Sequence, residues 1–248
     1  MFGSRADRRS AQELDRQVKA MTKLTCQACE LVLVRHGETN FNVESRLQGQ
    51  MFPGPALNDS GIKQAEALAA RLAEEKFNAF YTSDLTRTLQ TIDIVHKHHY
   101  NQTNLIIQRD TDLRERKLGQ LEGKAMTEAK MTLPVVWLGL NTPNEASLQA
   151  GIEPLDTMLA RITAALERIA ASHPQQRVLV VTHGGVLHAV HRKATHTAPK
   201  GRSANCAINT IRIDCSQKPA VWAVVSWADD EHLDQDMAGG SFGGGNLG

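Results

Sequence analysis

Two histidines of the chain each follow a run of apolar residues and are followed directly by glycine. His36 comes after the apolar run 31–34 and one arginine, and His183 comes after the run 178–181 and one threonine. In an α/β protein, ligands bind at the carboxyl ends of the strands. Neighbouring parallel strands would bring the two rings together, which predicts a shared site. The segment around His36 alone would equally fit an exposed turn, so the pair carries the prediction.

The residues around these histidines predict that the site takes an anion. Arg35 precedes His36, and Arg87 falls in the first turn of a predicted helix that follows another strand. Two guanidinium groups can grip a phosphoryl group with charge-assisted hydrogen bonds. Gly184 and Gly185 let backbone N–H groups at a helix N-terminus approach the same anion. Nearby arginines also favour the neutral imidazole that an attacking histidine needs, so the pattern indicates covalent catalysis.

Strand-sized apolar runs alternate with helical patterns along the body of the chain, which predicts an α/β domain with a mostly parallel sheet. Strands are expected at 30–35, 80–82, 105–107, 178–181, 206–213 and 221–227. Helices are expected at 60–76, up to about 99, at 154–171 and after 184. Asp59 or Ser60 is expected to cap the first of these helices. The irregular segment 110–142 is expected to form a lid.

Composition and charge exclude several classes of protein. The 28 basic and 27 acidic residues nearly cancel, so no nucleic-acid partner is expected. No apolar run approaches the ~20 residues that span a bilayer, so no membrane segment is expected. Cys26 and Cys29 have a spacing that serves zinc or redox chemistry, but Cys206 and Cys215 do not form a second such pair. Four reduced thiols, no metal site and a cytoplasmic location are therefore expected.

At 248 residues, the chain suits one domain with tails, and we predict that this domain covers residues 29–230. The N-terminal arm, residues 1–28, mixes arginines with acidic residues and fits neither a secretory signal nor a transit peptide. It is expected to be a short amphipathic helix or a disordered arm, and an atypical targeting role stays open. The glycine-rich tail, residues 231–248, is expected to be disordered.

Short motifs follow one another over roughly residues 30–228. They are Arg35-His36-Gly37-Glu38-Thr39-x-x-Asn42, Arg46-x-Gln48-Gly49, Leu57-Asn58-x-x-Gly61, Ser83-Asp84-Leu85-x-Arg87, Leu113-x-Glu115-Arg116-x-x-Gly119 and Thr182-His183-Gly184-Gly185. In residue type, spacing and order these motifs resemble the histidine phosphatase superfamily, also called phosphoglycerate mutase-like, and its phosphatase branch in particular. The resemblance implies a three-layer α/β/α sandwich with a mostly parallel central sheet.

The same resemblance implies roles for the matched positions. His36 would be the nucleophile that becomes phosphohistidine. Glu115 would protonate the leaving oxygen and then activate water, with Asp112 as the nearby alternative. The phosphate pocket would be completed by Arg35, Arg87, His183, Asn42 and the amide of Gly184.

Substrate contacts are expected from Arg46, Gln48, Gly49 and Arg116, although the first two would equally brace a loop. Glu122 matches the family pattern and would equally hold a turn. Surface or packing roles are expected for His188 and His191, and the alternative that one of them faces the site stays open. The resemblance implies a small phosphorylated substrate, neither a cofactor nor a metal, and it leaves a homodimer open.

Two segments depart from the family pattern. Many members carry Gly-Gly-Glu-Ser before the second long helix, whereas this chain reads Gly151-Ile152-Glu153-Pro154. The extra stretch Met51–Ala56 is expected to reshape the entrance to the pocket. The short interval 123–154 predicts a more open site that admits water, which favours hydrolysis. Mutase-type phosphotransfer is the alternative, and a catalytically weak phospho-ligand-binding protein is the alternative from another class.

Overall fold

The computed structural model describes residues 15–99, 105–199 and 204–233, and six strands within these ranges form one sheet. The strands are β1 (Cys29–Arg35), β2 (Ala79–Thr82), β3 (Ile107–Arg109), β4 (Arg177–Thr182), β5 (Ile208–Asp214) and β6 (Val221–Asp229). Their spatial order is β3-β2-β4-β1-β5-β6. The first four strands are parallel, whereas β5 is antiparallel to β1 and β6 is antiparallel to β5. The predicted α/β fold with a mostly parallel sheet is confirmed.

Helices connect and cover these strands. In chain order they are α1 (15–23), α2 (Asn40–Val43), α3 (Asp59–Leu72), α4 (Thr86–His98), α5 (Met126–Thr132), α6 (Pro134–Leu138), α7 (Glu145–Gln149), α8 (Leu155–Ser172) and α9 (Gly184–Thr195). Single-turn 3₁₀ helices lie at Thr111–Leu113 and Gly119–Leu121. The expected lid segment 110–142 is therefore more regular than its sequence suggests.

Each face of the sheet has its own core because successive side chains of a strand point to opposite faces. On one face, Leu31 of β1 packs in a cluster with Ile162 of α8 and Leu187 of α9. On the other face, Val32 packs in a cluster with Leu68 of α3. Each such buried side chain contributes about 1.5–3 kcal/mol by leaving water. Helices on both faces of one sheet give the predicted three-layer α/β/α sandwich.

The register of β1 and β4 places the two strand-end histidines side by side. Arg35 and Thr182, the last residues of the two strands, are paired. His36 and His183 are therefore the next residues at the same edge of the sheet. Ser83 follows β2, the other neighbour of β4, and reaches that edge too. The edge formed by these strand ends is where the candidate site lies.

A third, smaller core forms beside this edge and packs α5, α6 and α7 together. Its buried residues are Leu47, Leu118, Leu121, Ala129, Val136, Leu140, Ala150 and Ile152. The residues between β3 and α8 thus form a small helical layer with its own apolar core. This layer can form one side of the site.

Several predicted boundaries differ from the structure. Helix α3 ends at Leu72 instead of 76, and β5 begins at Ile208 instead of 206. Two further predictions are wrong for local physical reasons. Strand β3 covers Ile107–Arg109 instead of 105–107, because only these residues pair with β2. Two of its three residues are polar and exposed on the sheet edge, so an apolar run does not mark it. Asn58, and neither Asp59 nor Ser60, caps α3, because its side chain accepts a backbone N–H of the first turn at 2.8 Å.

Residues 15–23 of the N-terminal arm form helix α1, and residues 23–25 are tied to the domain by hydrogen bonds. The Thr25 N–H donates to Asp214 at 2.8 Å, and the Gln217 side chain donates to the Lys23 carbonyl at 2.6 Å. Residues 1–14, and the predicted tail from 234 onward, lie outside the described residues. Within the described ranges, no helix is both long and apolar enough to cross a membrane. All four cysteines are free thiols.

Candidate active site

The His36 side chain is buried at the end of β1, and one of its ring nitrogens is fixed. Its Nδ1 lies 2.7 Å from the carbonyl oxygen of Gly37. Because a carbonyl oxygen only accepts, Nδ1 carries the proton and Nε2 keeps its lone pair. The backbone is held as well: the His36 N–H donates to Thr182 at 3.0 Å, and Asn205 donates to the His36 carbonyl at 2.8 Å. The ring is therefore held in a form that can attack an electrophile.

Burial and two arginines keep His36 uncharged. Burial lowers the pKa of His36 well below its usual value of 6.5, and the charges of Arg87 and Arg35 lower it further. Burial also lowers the pKa of each arginine to about 10, an effect that Glu115 opposes. Both guanidinium groups therefore stay charged at neutral pH. A neutral imidazole between two cations can accept a phosphoryl group.

Arg87 is fully buried in the first turn of α4, close to His36. Its Nη2 donates to the Gly49 carbonyl at 2.9 Å. Its Nε and Nη1 have no hydrogen-bond partner within the described ranges. Buried unpaired donors are costly, so they point to a ligand that completes them. The extra stretch Met51–Ala56 passes close to this guanidinium, since a Cβ added to Gly54 would lie 3.3 Å from Arg87 Nη1.

His183 lies behind His36, at the start of α9. The two ring centroids are 5.4 Å apart with the planes tilted by 59°. The His183 Nε2 is 2.9 Å from the Ser83 hydroxyl oxygen. Burial lowers the pKa of His183 well below 6.5, and the charge of Arg87 adds to the shift. His183 does not line the cavity described below, so the structure places this predicted site residue against His36 and not at the cavity surface.

Asn42 is oriented by the cap of the short helix α2. Its Oδ1 accepts from both the backbone N–H and the hydroxyl of Thr39, each at 3.0 Å. The amide nitrogen is thereby defined as the remaining donor, and within the described ranges it has no partner. Asn42 is buried and lines the cavity. The structure thus offers a further neutral donor beside the two arginines.

Glu115 reaches the site from the loop before the second 3₁₀ helix. Its carboxylate accepts the Arg116 N–H at 2.8 Å and the Gly185 N–H at 3.0 Å. A Cβ on Gly185 would lie only 2.3 Å from the Glu115 carboxylate, so glycine is needed for this approach. The N–H predicted to face an anion is thus occupied by Glu115. Asp112 instead lies by Arg168 at 3.5 Å and does not line the cavity.

The cavity in front of His36 has a volume of about 160 Å³. Besides His36, the predicted site residues that line it are Arg35, Asn42, Arg46, Gln48, Gly49, Arg87, Glu115, Arg116 and Gly184. The structure therefore brings together every predicted site residue, with His183 behind the lining. A phosphoryl group placed there would meet two cations, one amide and one carboxyl group.

The predicted substrate contacts also have structural roles. Arg46 pairs with Glu44 and donates to the Gly123 carbonyl at 3.0 Å. Arg116 donates to the Glu153 carbonyl at 2.8 Å. Both arginines therefore brace loops while their side chains line the cavity. Glu122 accepts backbone N–H groups of residues 50 and 118, as expected of a turn-forming residue.

Several cavity residues escaped the sequence-based prediction. His188 is buried and lines the cavity, so the alternative in which one of His188 and His191 faces the site describes His188 better than the favoured surface or packing role. Asp156 and Leu159 of α8 line the cavity together with Arg192 of α9, and Asp156 and Arg192 are exposed. Helical spacing from Gly185, which is three residues before His188 and seven before Arg192, could have indicated Arg192 as well. Nothing in the sequence indicates that α8 borders the site. Ser83 had a usable signal, since it follows a strand.

Stability is expected to fall in acid partly because of His188. Burial, and then the charges of Arg35 and His191, lower the pKa of His188 to about 4 from 6.5. Because this pKa is lower in the folded protein, the unfolded chain takes up the proton at a higher pH than the folded protein does. The contribution of neutral His188 to the free energy of unfolding is therefore complete above pH 6.5 and is lost as the pH falls towards 4. The fall in Tm from neutral to acidic pH should therefore be shallower in His188→Gln. An identical fall in this variant and in His196→Asn, an exposed control, would contradict this.

The sequence model of the histidine phosphatase superfamily (branch 1) matches residues 31–230. The chain belongs to this superfamily. A metal-independent phosphoserine phosphatase of Arabidopsis thaliana is 36% identical over 213 residues, which cover 85% of this chain and 86% of that protein. Phosphoglycerate mutase-like protein 4 of the same plant is 35% identical over 209 residues, covering 83% and 87%.

Solved structures of other proteins share the fold. Bacillus stearothermophilus YhfR superimposes with a TM-score of 0.71 at 28% identity, covering 83% of this chain and 100% of that one. A mycobacterial glucosyl-3-phosphoglycerate phosphatase gives a TM-score of 0.68 at 25% identity, covering 81% and 99%. The similar proteins thus include phosphatases with different substrates as well as mutase-like proteins.

Proposed function

We propose that the protein hydrolyses small phosphomonoesters through a phosphohistidine formed on His36. The observation that carries this proposal is the state of His36: a buried, neutral imidazole with its proton on Nδ1, set beside two buried arginines. Membership of the histidine phosphatase superfamily supports the same chemistry.

In the first half of the reaction, Nε2 of His36 attacks phosphorus and the ester P–O bond breaks. Arg35, Arg87 and Asn42 hold the phosphoryl oxygens, and the two positive charges stabilise the transition state. The Glu115 carboxyl group donates its proton to the departing oxygen, so the alcohol leaves neutral.

In the second half, water attacks the phosphorus of phosphohistidine. The Glu115 carboxylate, now without its proton, accepts one from that water, and the P–N bond to His36 breaks. Inorganic phosphate leaves, and both side chains return to their starting states. The same carboxyl group thus acts first as acid and then as base.

Hydrolysis is favoured over mutase chemistry by the segment between Gly123 and Pro154. It forms short helices around its own apolar core, and the lining of the cavity in front of His36 includes the exposed residues Asp156 of α8 and Arg192 of α9. We expect strong release of inorganic phosphate and little isomerisation of 3-phosphoglycerate when both are followed in parallel. Strong isomerisation with little phosphate release would contradict the proposal.

The cavity favours a small leaving group. Its volume of about 160 Å³ suits a phosphoryl group with a short chain, and its lining includes the opposite charges of Asp156 and Arg192. A zwitterionic amino-acid ester would pair with both charges, and a similar protein is a phosphoserine phosphatase. A screen of phosphorylated metabolites that includes phosphoserine, with phosphate as the readout, identifies the substrate class.

A further inference from the structure

Arg161 lies in the middle of α8. All the nitrogens of its guanidinium group donate hydrogen bonds, either to backbone carbonyls of the segment 112–115 or to the carboxylate of Glu153. Its Nη1 donates to the carbonyls of Asp112 and Arg114, at 2.7 and 2.8 Å. Its Nη2 donates to the carbonyl of Glu115 at 3.0 Å. The Nε and the second Nη2 hydrogen bond, at 2.6 and 2.8 Å, go to the two carboxylate oxygens of Glu153. A guanidinium has five N–H donors, and all are engaged.

The carbonyls bound by Arg161 belong to the backbone that carries Glu115. Between the first 3₁₀ helix and residue 118, this backbone belongs to neither a helix nor a strand. Backbone groups outside regular structure need other partners, and here a side chain of α8 supplies them. The backbone from which the Glu115 side chain extends is thus held by a helix, and the Gln50 side chain also donates to the Glu115 carbonyl at 2.8 Å.

Glu153 holds the residues that follow Glu115, namely 116 and 117. Its carboxylate pairs with Arg161 and also accepts the Lys117 N–H at 3.1 Å. The Glu153 carbonyl accepts from Arg116 at 2.8 Å. The two side chains of the ion pair are only 17% and 11% exposed, so water screens their attraction weakly. The segment on both sides of Glu115 is therefore tied to the same ion pair.

We propose that Arg161 and Glu153 are positioning residues that set the Glu115 carboxyl group at the leaving oxygen of the substrate. This inference rests on the proposed function, in which Glu115 supplies that proton. General acid catalysis depends steeply on where the proton donor sits, since misplacement by about 1 Å can cost about 100-fold. The ion pair acts on the reaction only through the placement of Glu115.

Arg168 provides a matched control within the same helix. It lies two turns after Arg161 and also pairs with the segment, through the side chains of Asp110 and Asp112. Its side chain is 53% exposed, and it touches no backbone carbonyl near Glu115. If α8 only anchored this segment for stability, loss of either arginine would act in the same way on every substrate.

The test compares two substrates that differ in their need for a proton. The 4-nitrophenolate of 4-nitrophenyl phosphate departs unaided, whereas the alkoxide of benzyl phosphate needs protonation. We expect Arg161→Lys to lower kcat/KM for benzyl phosphate by about 10- to 100-fold, and for 4-nitrophenyl phosphate by less than about threefold. Glu153→Gln, which retains the side-chain shape, should show the same selectivity to a smaller degree. Arg168→Gln should leave both values unchanged.

A double-mutant cycle with Glu115→Gln separates positioning from general damage. In the Glu115→Gln background, Arg161→Lys should bring no further selective loss on benzyl phosphate, because the acid is already gone. Equal losses on both substrates in Arg161→Lys and Glu153→Gln would overturn the inference while leaving the proposed function intact. If Glu115→Gln itself shows no selectivity for benzyl phosphate, the role of Glu115 fails and the inference fails with it.

Discussion

Replacing His36 with alanine is expected to lower the hydrolysis of 4-nitrophenyl phosphate by at least about 10⁴-fold, because the variant has no group to accept the phosphoryl. The variant should still bind inorganic phosphate, since Arg35, Arg87 and Asn42 remain. The measurement is kcat/KM from nitrophenolate release. In the native protein, acid-labile and base-stable phosphate should be trapped by rapid quenching, and none should be trapped in the variant.

The matched control for this change is His196→Asn. His196 is exposed after α9 in a left-handed conformation that asparagine tolerates, and it has no place in the proposed reaction. Its replacement should leave the rate unchanged. Equal rates in the native protein and the His36 variant would contradict the mechanism. Turnover that is weak in both, with phosphate binding retained in both, would instead favour the phospho-ligand-binding alternative.

Replacing Arg87 with methionine is expected to lower kcat/KM by about 10²- to 10⁴-fold. The buried guanidinium has two nitrogens without partners in the described part of the chain. Each charge-assisted hydrogen bond that they would make to the phosphoryl group is worth about 1.5–3 kcal/mol. The same change should raise Tm, because the resting protein would no longer bury an incompletely bonded cation.

The residual activity of this variant should also shift with pH in a defined direction. Arg87 lowers the pKa of His36, so its removal raises that pKa. The acidic limb of kcat/KM should therefore move to higher pH in Arg87→Met, while the ionisation of the substrate stays the same in both proteins. Arg71→Met, which removes an exposed ion pair with Glu75, should change neither the limb nor the rate. An acidic limb that stays in place would contradict the coupling.

The two strand-end histidines show which features of the fold a local sequence pattern can predict. The apolar runs before His36 and His183 are long enough for buried strands, and each is followed by glycine. This predicted the parallel neighbours β1 and β4 and the edge of the sheet where the rings meet. The prediction works because a strand and its end are marked by residues adjacent in sequence.

The edge strand β3 shows where local pattern fails. Its pairing with β2 is made by backbone groups, which every residue carries, so its side chains need not be apolar. The Asn58 cap was missed for a related reason, since three polar residues in a row can each cap a helix and only the backbone path selects one.

The sequence by itself determined the α/β class, and it pointed to the histidine proposed to attack phosphorus and to most of the residues proposed to bind phosphate, because motif spacing within one strand-to-helix turn is local. Only the tertiary structure decided how Glu115 reaches Gly185, which is 70 residues later, and which side of α8 borders the cavity. It also decided that Arg161 donates a hydrogen bond to the backbone carbonyl of Glu115, which is 46 residues earlier in the chain. Such contacts depend on how whole elements pack, and no local spacing encodes that.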